Sequence, residues 1–92
     1  MTDYNGWSNY ETWNVKLWLD NDEDIYNEVL TWAREVKGTK DPIFKLSDKI
    51  KDYINENAPD LGSSCYADLL NASLSEVDYD EIAESVLNEI EE

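Results

Sequence analysis

Three aspartates, Asp20, Asp22 and Asp24, have the alternate spacing with which a calcium-binding loop begins. Such a loop also requires a glycine at its sixth position and a bidentate glutamate at its twelfth. Ile25 and Thr31 occupy these two positions, so the ligand shell would be incomplete. We therefore expect no metal site, and we interpret the three acids as the end of one helix and the cap of the next.

The single cysteine is the strongest nucleophile in the chain. Cys65 follows Ser64 at an expected helix start, a position at which thiols can be activated. Nucleophilic catalysis also requires a base, and the chain contains no histidine. The sequence has no glycine-rich phosphate loop, Cys-x-x-Cys pair or Gly-x-Ser-x-Gly turn. We predict a protein that is not an enzyme and has no cofactor, in which Cys65 is a half-buried structural residue.

The charge balance argues against direct contact with polyanions. The 92 residues include 22 acids and 7 bases, which gives a formal net charge of −15, so nucleic acids and anionic membranes should repel the chain. No apolar run reaches the length of about 18 residues needed to span a bilayer, and no signal-peptide pattern is present. A single cysteine cannot form an intramolecular disulfide, which fits a reducing compartment. We expect a cytoplasmic protein that contacts neither nucleic acid nor membrane.

The acids are concentrated in the second half of the chain. Residues 1–51 contain ten acids and all seven bases, whereas residues 52–92 contain twelve acids and no base. Two interpretations stay open: the acids keep a small protein soluble, or they form a surface that recognises a basic partner.

The last predicted helix carries the candidate partner-binding residues. Carboxylates three to four residues apart on a helix lie about 5–6 Å apart along its axis, which is of the order of the phosphate spacing along one DNA strand. Like charges at this spacing repel each other, and no Lys or Arg lies nearby in the sequence to offset the repulsion. The candidates are Asp78, Asp80, Glu81, Glu84 and Glu91.

The apolar periodicity predicts an all-α fold, a compact bundle of four to five short helices in a single domain, residues 1–92. Helix 1 is expected from about Tyr10 to Leu19, with Ser8 and Glu11 forming a capping box. Helix 2 follows Asp20–Asp24 and is expected to end before a left-handed Gly38. The later helices are expected from Pro42 to a point before Pro59, from Cys65 to about Ala72, and from Asp78 to the C-terminus.

Apolar residues at helical spacing predict which side of each helix faces the core. In helix 2 they are Ile25, Val29, Trp32, Ala33 and Val36; in helix 3, Ile43, Leu46, Ile50, Tyr53 and Ile54; in helix 4, Tyr66, Leu69 and Leu70; and in the last helix, Ile82, Ala83, Val86, Leu87 and Ile90. In helix 1 the repeating residues are mostly aromatic, namely Tyr10, Trp13, Leu17 and Trp18.

The aromatic residues near the N-terminus admit two interpretations. A platform that stacks on bases normally accompanies a basic groove, and this segment contains Lys16 alone. We therefore expect the aromatic side chains to build the core, since each can bury up to about 150–250 Å². Trp7 and Trp18 are the two that helical spacing places least firmly inside, so either can be an exposed interface anchor.

Two stretches carry a family resemblance: residues 9–21, which begin Asn-Tyr-Glu-Thr-Trp-Asn-Val, and residues 67–84, which begin Ala-Asp-Leu-Leu-Asn-Ala. They resemble the two ends of a family of short acidic proteins of unassigned function that bacteriophages, plasmids and bacteria carry. The resemblance covers most of the chain except residues 25–62. It implies a mobile element in a bacterial cytoplasm, where small accessory proteins often counter host defence, and it assigns no catalytic or binding residue.

Together these observations lead to two hypotheses. In the first, the protein is a non-enzymatic inhibitor that occupies the basic DNA- or RNA-binding surface of a bacterial defence protein, such as a restriction or CRISPR effector, with the acidic helix in place of phosphates. In the second, it is a helical interaction module that binds through its aromatic N-terminal helix, and its acidity serves solubility alone. Homodimerisation through a helix face stays open in either case.

Overall fold

The computed structural model describes residues 6–58, 61–62 and 64–90. Within these ranges the chain forms five α-helices, as predicted for an all-α bundle. They are α1 (Tyr10–Asn21), α2 (Glu23–Val36), α3 (Pro42–Glu56), α4 (Cys65–Ser75) and α5 (Tyr79–Glu89). None of the helices in the described part is long and apolar enough to cross a membrane.

Local capping explains where the first helices begin and end. The side chain of Asp22 accepts hydrogen bonds from the amides of Asp24 and Ile25, so the predicted cap of α2 is confirmed. Gly38 follows α2 with a φ of +88°, which confirms the left-handed residue expected there. The predicted capping box of α1 is wrong, because Asn9 and not Ser8 is the N-cap and its side chain accepts from the Thr12 amide at 2.8 Å.

The core lies between α1, α2, α3 and α5, and the contact between α3 and α5 is the most extensive. The inward stripes predicted for α2, α3 and α5 are confirmed except at Ile43 in the first turn of α3, which is exposed, and Leu46, Ile50 and Ile82 are completely buried. The rings of Trp32 in α2 and Tyr53 in α3 pack in an edge-to-face arrangement with their centroids 5.9 Å apart. The buried apolar residues are Leu19, Val29, Ala33, Val36, Leu46, Ile50, Val77, Tyr79, Ile82, Ala83 and Val86.

The inward side of α1 differs from the prediction. Thr12, Lys16 and Leu19 are its buried residues, and two of these three are polar. Most of the predicted aromatic side turns outward instead: Trp18 is 67% exposed, Tyr10 and Leu17 are also exposed, and only Trp13 is half-buried. The prediction failed because apolar periodicity ignores polar residues, which can be buried when they have hydrogen-bond partners.

Helix α4 lies outside the core and contributes no buried residue. Ser64 caps it through a hydrogen bond from the Ala67 amide, and the helix continues to Ser75 instead of ending near Ala72 as predicted. The predicted inward positions of Tyr66 and Leu69 are wrong, since these side chains are 68% and 64% exposed. Cys65 is also exposed and not half-buried.

Hydrogen bonds join the N-terminal ends of α1 and α5, which are far apart in the sequence. The Thr12 hydroxyl accepts from the Asp78 amide at 2.8 Å, and the Asn9 side-chain amide donates to the Glu76 carbonyl at 2.8 Å. The Ser8 hydroxyl donates to Glu81 Oε1 at 2.8 Å. We call these three hydrogen bonds the α1–α5 junction. They connect the two stretches that carried the family resemblance.

We expect Thr12→Val to destabilise the fold by about 1–3 kcal/mol, because it keeps the shape of a completely buried side chain but removes the acceptor of the Asp78 amide. Urea unfolding followed by circular dichroism measures this change. Thr31→Val is the matched control: Thr31 is exposed on α2, where we expect a change within about 0.5 kcal/mol. Equal effects of the two substitutions would contradict the structural importance of the junction.

Candidate functional site

Asp78 and Asp80 lie at the start of α5. Asp78 is the N-cap, and its side chain accepts from the Glu81 amide at 3.1 Å. Asp80 is exposed in the first turn, where the helix dipole favours a negative charge. The negative charge here therefore also stabilises the helix.

Glu81 has a structural contact. Its Oε1 accepts from both the amide and the hydroxyl of Ser8, at 3.3 Å and 2.8 Å. Of the two hydrogen bonds of a capping box between Asp78 and Glu81, only the one from the Glu81 amide to Asp78 is formed, because the Asp78 amide donates to the Thr12 hydroxyl instead. A substitution of Glu81 would disturb the α1–α5 junction as well as the surface charge.

Glu84 is exposed one turn after Asp80. It borders an open groove of about 540 Å³ between α5 and the N-terminal segment, with Trp7 on the other side. The groove is lined by Gly6, Trp7, Glu81, Glu84, Ser85, Asn88 and Glu89. Three carboxylates and an indole ring therefore lie around one opening, an arrangement suited to a cationic side chain. The fifth candidate, Glu91, lies outside the described residues.

The fold brings lysines toward the acidic helix that are distant in the sequence. Lys51 of α3 lines an open groove together with Glu76, Asp78 and Asp80. At the other end of α5, the Lys37 ammonium donates to the Ile90 carbonyl at 3.3 Å. The expectation that no base lies near these acids therefore holds for the sequence and not for the folded chain. Among the described residues, neither lysine forms an ion pair, and Asp80 and Glu84 stay unpaired.

A lysine buried between α1 and α5 went unnoticed in the sequence. Lys16 is 6% exposed, and its ammonium lies 2.7 Å from Asp20 Oδ2 and 3.1 Å from Glu89 Oε2. The Tyr26 hydroxyl donates to the other oxygen of Glu89 at 3.3 Å. The spacing of Lys16 and Asp20, one turn apart, was the only signal in the sequence.

Burial and ion pairing act in opposite directions on Lys16. Burial is the largest single effect and lowers the pKa of its ammonium, but the hydrogen bonds and charges of Asp20 and Glu89 together raise that pKa above its usual 10.5. Desolvation raises the pKa of the buried Tyr79 hydroxyl, which has no hydrogen-bond partner among the described residues. Both groups therefore hold their protons more tightly in the folded chain.

Among the described residues, no three His, Cys, Asp or Glu side chains are grouped closely enough to hold a metal ion. The exposed Cys65 lies on α4 and belongs to none of the grooves along α5.

We expect the protein to lose stability as the pH rises above about 10. Both pKa values are higher in the folded chain, so above the unfolded-state values the folded chain binds more protons and the free energy of unfolding falls with pH. Urea midpoints at about pH 8 and pH 11 test this, and Lys16→Met should reduce the difference. A midpoint that is the same at both pH values would contradict it.

Comparison with known proteins identifies the family but no activity. Residues 1–92 match the model of a family described as "Family of unknown function (DUF7249)". The match includes residues 25–62, which the resemblance noted in the sequence did not cover. Searches of curated proteins and of solved structures gave no match. The whole chain therefore belongs to the DUF7249 family.

Proposed function

We propose that this protein is a non-enzymatic inhibitor that uses the exposed side of α5 to bind a basic surface on another protein. The observation that carries the proposal is the pair Asp80 and Glu84, which are exposed one turn apart and form no ion pair with a described residue. The net charge of −15 adds a long-range attraction for a basic partner.

The proposed partner is a nucleic-acid-binding protein of bacterial host defence, such as a restriction or CRISPR effector. A channel that binds DNA or RNA is lined by Lys and Arg side chains that contact phosphates at regular spacing. Asp80 and Glu84, about 6 Å apart along the helix axis, offer carboxylates at a comparable spacing. Trp7, beside the groove that Glu84 borders, adds a surface on which an arginine can stack.

Two lysines limit the extent of this surface. Lys51 lies toward the start of α5 and Lys37 toward its end, so the unopposed acids form a short strip between them. Such a strip matches a few adjacent phosphates and not a long duplex. The protein would therefore block only part of the surface with which its partner binds nucleic acid. This is sufficient for inhibition if the blocked part includes the catalytic region or the region where the strand enters.

The test of this proposal is capture from bacterial lysate on the immobilised protein. Bound proteins are eluted first with a short DNA duplex and then with high salt, and both eluates are identified by mass spectrometry. We expect the duplex to release a DNA- or RNA-processing protein, because the two compete for one basic surface.

A matched pair of variants shows whether α5 itself is responsible. Asp80→Lys with Glu84→Lys should abolish this capture, whereas Glu28→Lys with Glu35→Lys should retain it, because the latter reverses two exposed acids on α2 to the same net charge. Both pairs leave the α1–α5 junction intact. Equal loss from both variants would show that net charge alone attracts the partner, and unchanged capture by both would contradict the proposal.

A second candidate function is a protein-interaction module that binds through α1, with acidity serving solubility. The observation that favours it is Trp18, which is 67% exposed on α1, because exposed tryptophans are common interface anchors. Under this alternative Trp18→Ala removes the captured protein and the charge reversals on α5 have little effect. The salt and duplex eluates would then be empty, since the interface would be mainly apolar.

A further inference from the structure

Helix α4 presents an apolar surface to solvent. Tyr66, Leu70 and Leu74 recur every four residues and therefore lie along one side of the helix. Tyr66 is 68% exposed and Leu69, beside this stripe, is 64% exposed. Only Asp68 among the 11 residues of α4 is charged, in a chain in which 32% of the residues are charged.

A groove separates this helix from α1. It is open, has a volume of about 230 Å³, and has an apolar floor to which Val15 of α1 and Leu70 and Leu74 of α4 contribute. Tyr10, Glu11, Asn14, Ser73 and Val77 complete the lining. We call this groove, together with the exposed Tyr66 and Leu69, the α1–α4 surface. From Tyr66 to Leu74 it extends about 12 Å along the helix axis, or slightly more than two turns.

The α4 helix itself has little support from the rest of the fold. It contributes no residue to the core, and isolated helices of this length are marginal in water. When a partner binds the apolar surface of such a helix, the binding stabilises the helix. This surface is separate from the exposed side of α5 on which the proposed inhibition rests.

The charges around the α1–α4 surface decide which partner fits. Glu11 lines the groove and Asp68 is exposed on α4. No base lines this groove or belongs to α4; the described base nearest along this side is Lys51, which lines the neighbouring groove with Glu76. Lys16, the only base of α1, is buried in its ion pairs. An apolar floor with an acidic margin is complementary to a helix that is apolar on one side and basic at its edges.

We propose that the α1–α4 surface binds an amphipathic, lysine- or arginine-rich helical segment of a partner protein. A second copy of the chain fits poorly, because each copy has a net charge of −15 and the acidic margins would face one another. This inference does not depend on phosphate mimicry by α5, and it remains in force if that function is wrong.

The test uses two fluorescein-labelled peptides of about 14 residues, or nearly four helical turns. Both contain the same numbers of Leu and Lys, but only one has Leu at positions i, i+3, i+4 and i+7; in the other, Leu and Lys alternate. Fluorescence anisotropy with the full chain should show at least tenfold tighter binding of the patterned peptide. Equal affinity would overturn the proposal, because charge alone would then explain the binding.

A matched set of variants locates the binding surface. Tyr66→Ala with Leu69→Ala should weaken the patterned peptide about tenfold or more, since both changes remove exposed apolar area and alanine retains the helix. Phe44→Ala is the control, because Phe44 is 68% exposed on α3, and it should change the affinity less than twofold. An unchanged affinity of the α4 variant would overturn the proposal.

Two further readouts separate the inference from its alternatives. Sedimentation of the full chain should show a monomer; a dimer that Leu69→Ala dissociates would mean that a second copy covers the surface, and would overturn the proposal.

The Asp80→Lys, Glu84→Lys variant should bind the patterned peptide as tightly as the Glu28→Lys, Glu35→Lys variant of equal net charge. Equal peptide affinity of the two variants is expected whether or not the α5 proposal is correct. If the Asp80→Lys, Glu84→Lys variant alone lost affinity for the patterned peptide, the peptide would bind on α5 and the proposal would be overturned.

Discussion

The hydrogen bond from the Asp78 amide to the Thr12 hydroxyl holds together two parts of the chain that are 66 residues apart. The completely buried Thr12 inside α1 supplies the acceptor for this amide at the point where α5 begins. Asn9 and Ser8 add bonds to the same turn. With α1 and α5 fixed at these ends, Lys16 comes within reach of Glu89 further along the two helices, and α4 is left outside the four-helix core.

Helix α5 can be acidic and still belong to the core, because one of its sides is apolar and buried and the other carries the carboxylates. Ile82, Ala83 and Val86 are buried against the other helices, while the carboxylates lie along the outer side. The first-turn acids are stabilised by the helix dipole, and Glu89 faces a buried ammonium. Glu84 lies beyond the first turn and forms no ion pair with a described residue, so neither the dipole nor a partner offsets its charge. Glu84 and the exposed Asp80 beside it are therefore the residues on which a binding role rests.

Sequence reasoning succeeded where burial follows apolar spacing and failed where it does not. The stripes of α2, α3 and α5 were predictable because helical periodicity and apolar side chains coincide there. In α1 the buried residues Thr12 and Lys16 are polar, and each has a partner more than 60 residues away that the sequence does not indicate. Only the one-turn spacing of Lys16 and Asp20 gave a local indication. In α4 the apolar pattern was found, but a pattern does not say whether the rest of the chain covers it. Of the candidate site, the carboxylates were predictable from composition, whereas the bond from Ser8 to Glu81 and the approach of Lys51 were not.

The exposed thiol of Cys65 gives this chain a natural attachment point. It is the only cysteine in the sequence, and it is exposed at the first residue of α4, the helix that contributes nothing to the core. A maleimide dye or spin label will therefore attach at a single position without any engineered substitution. Because the label would lie one residue from Tyr66, changes in its mobility or emission would report the folding and covering of this helix alone, independently of the four tryptophans elsewhere in the chain.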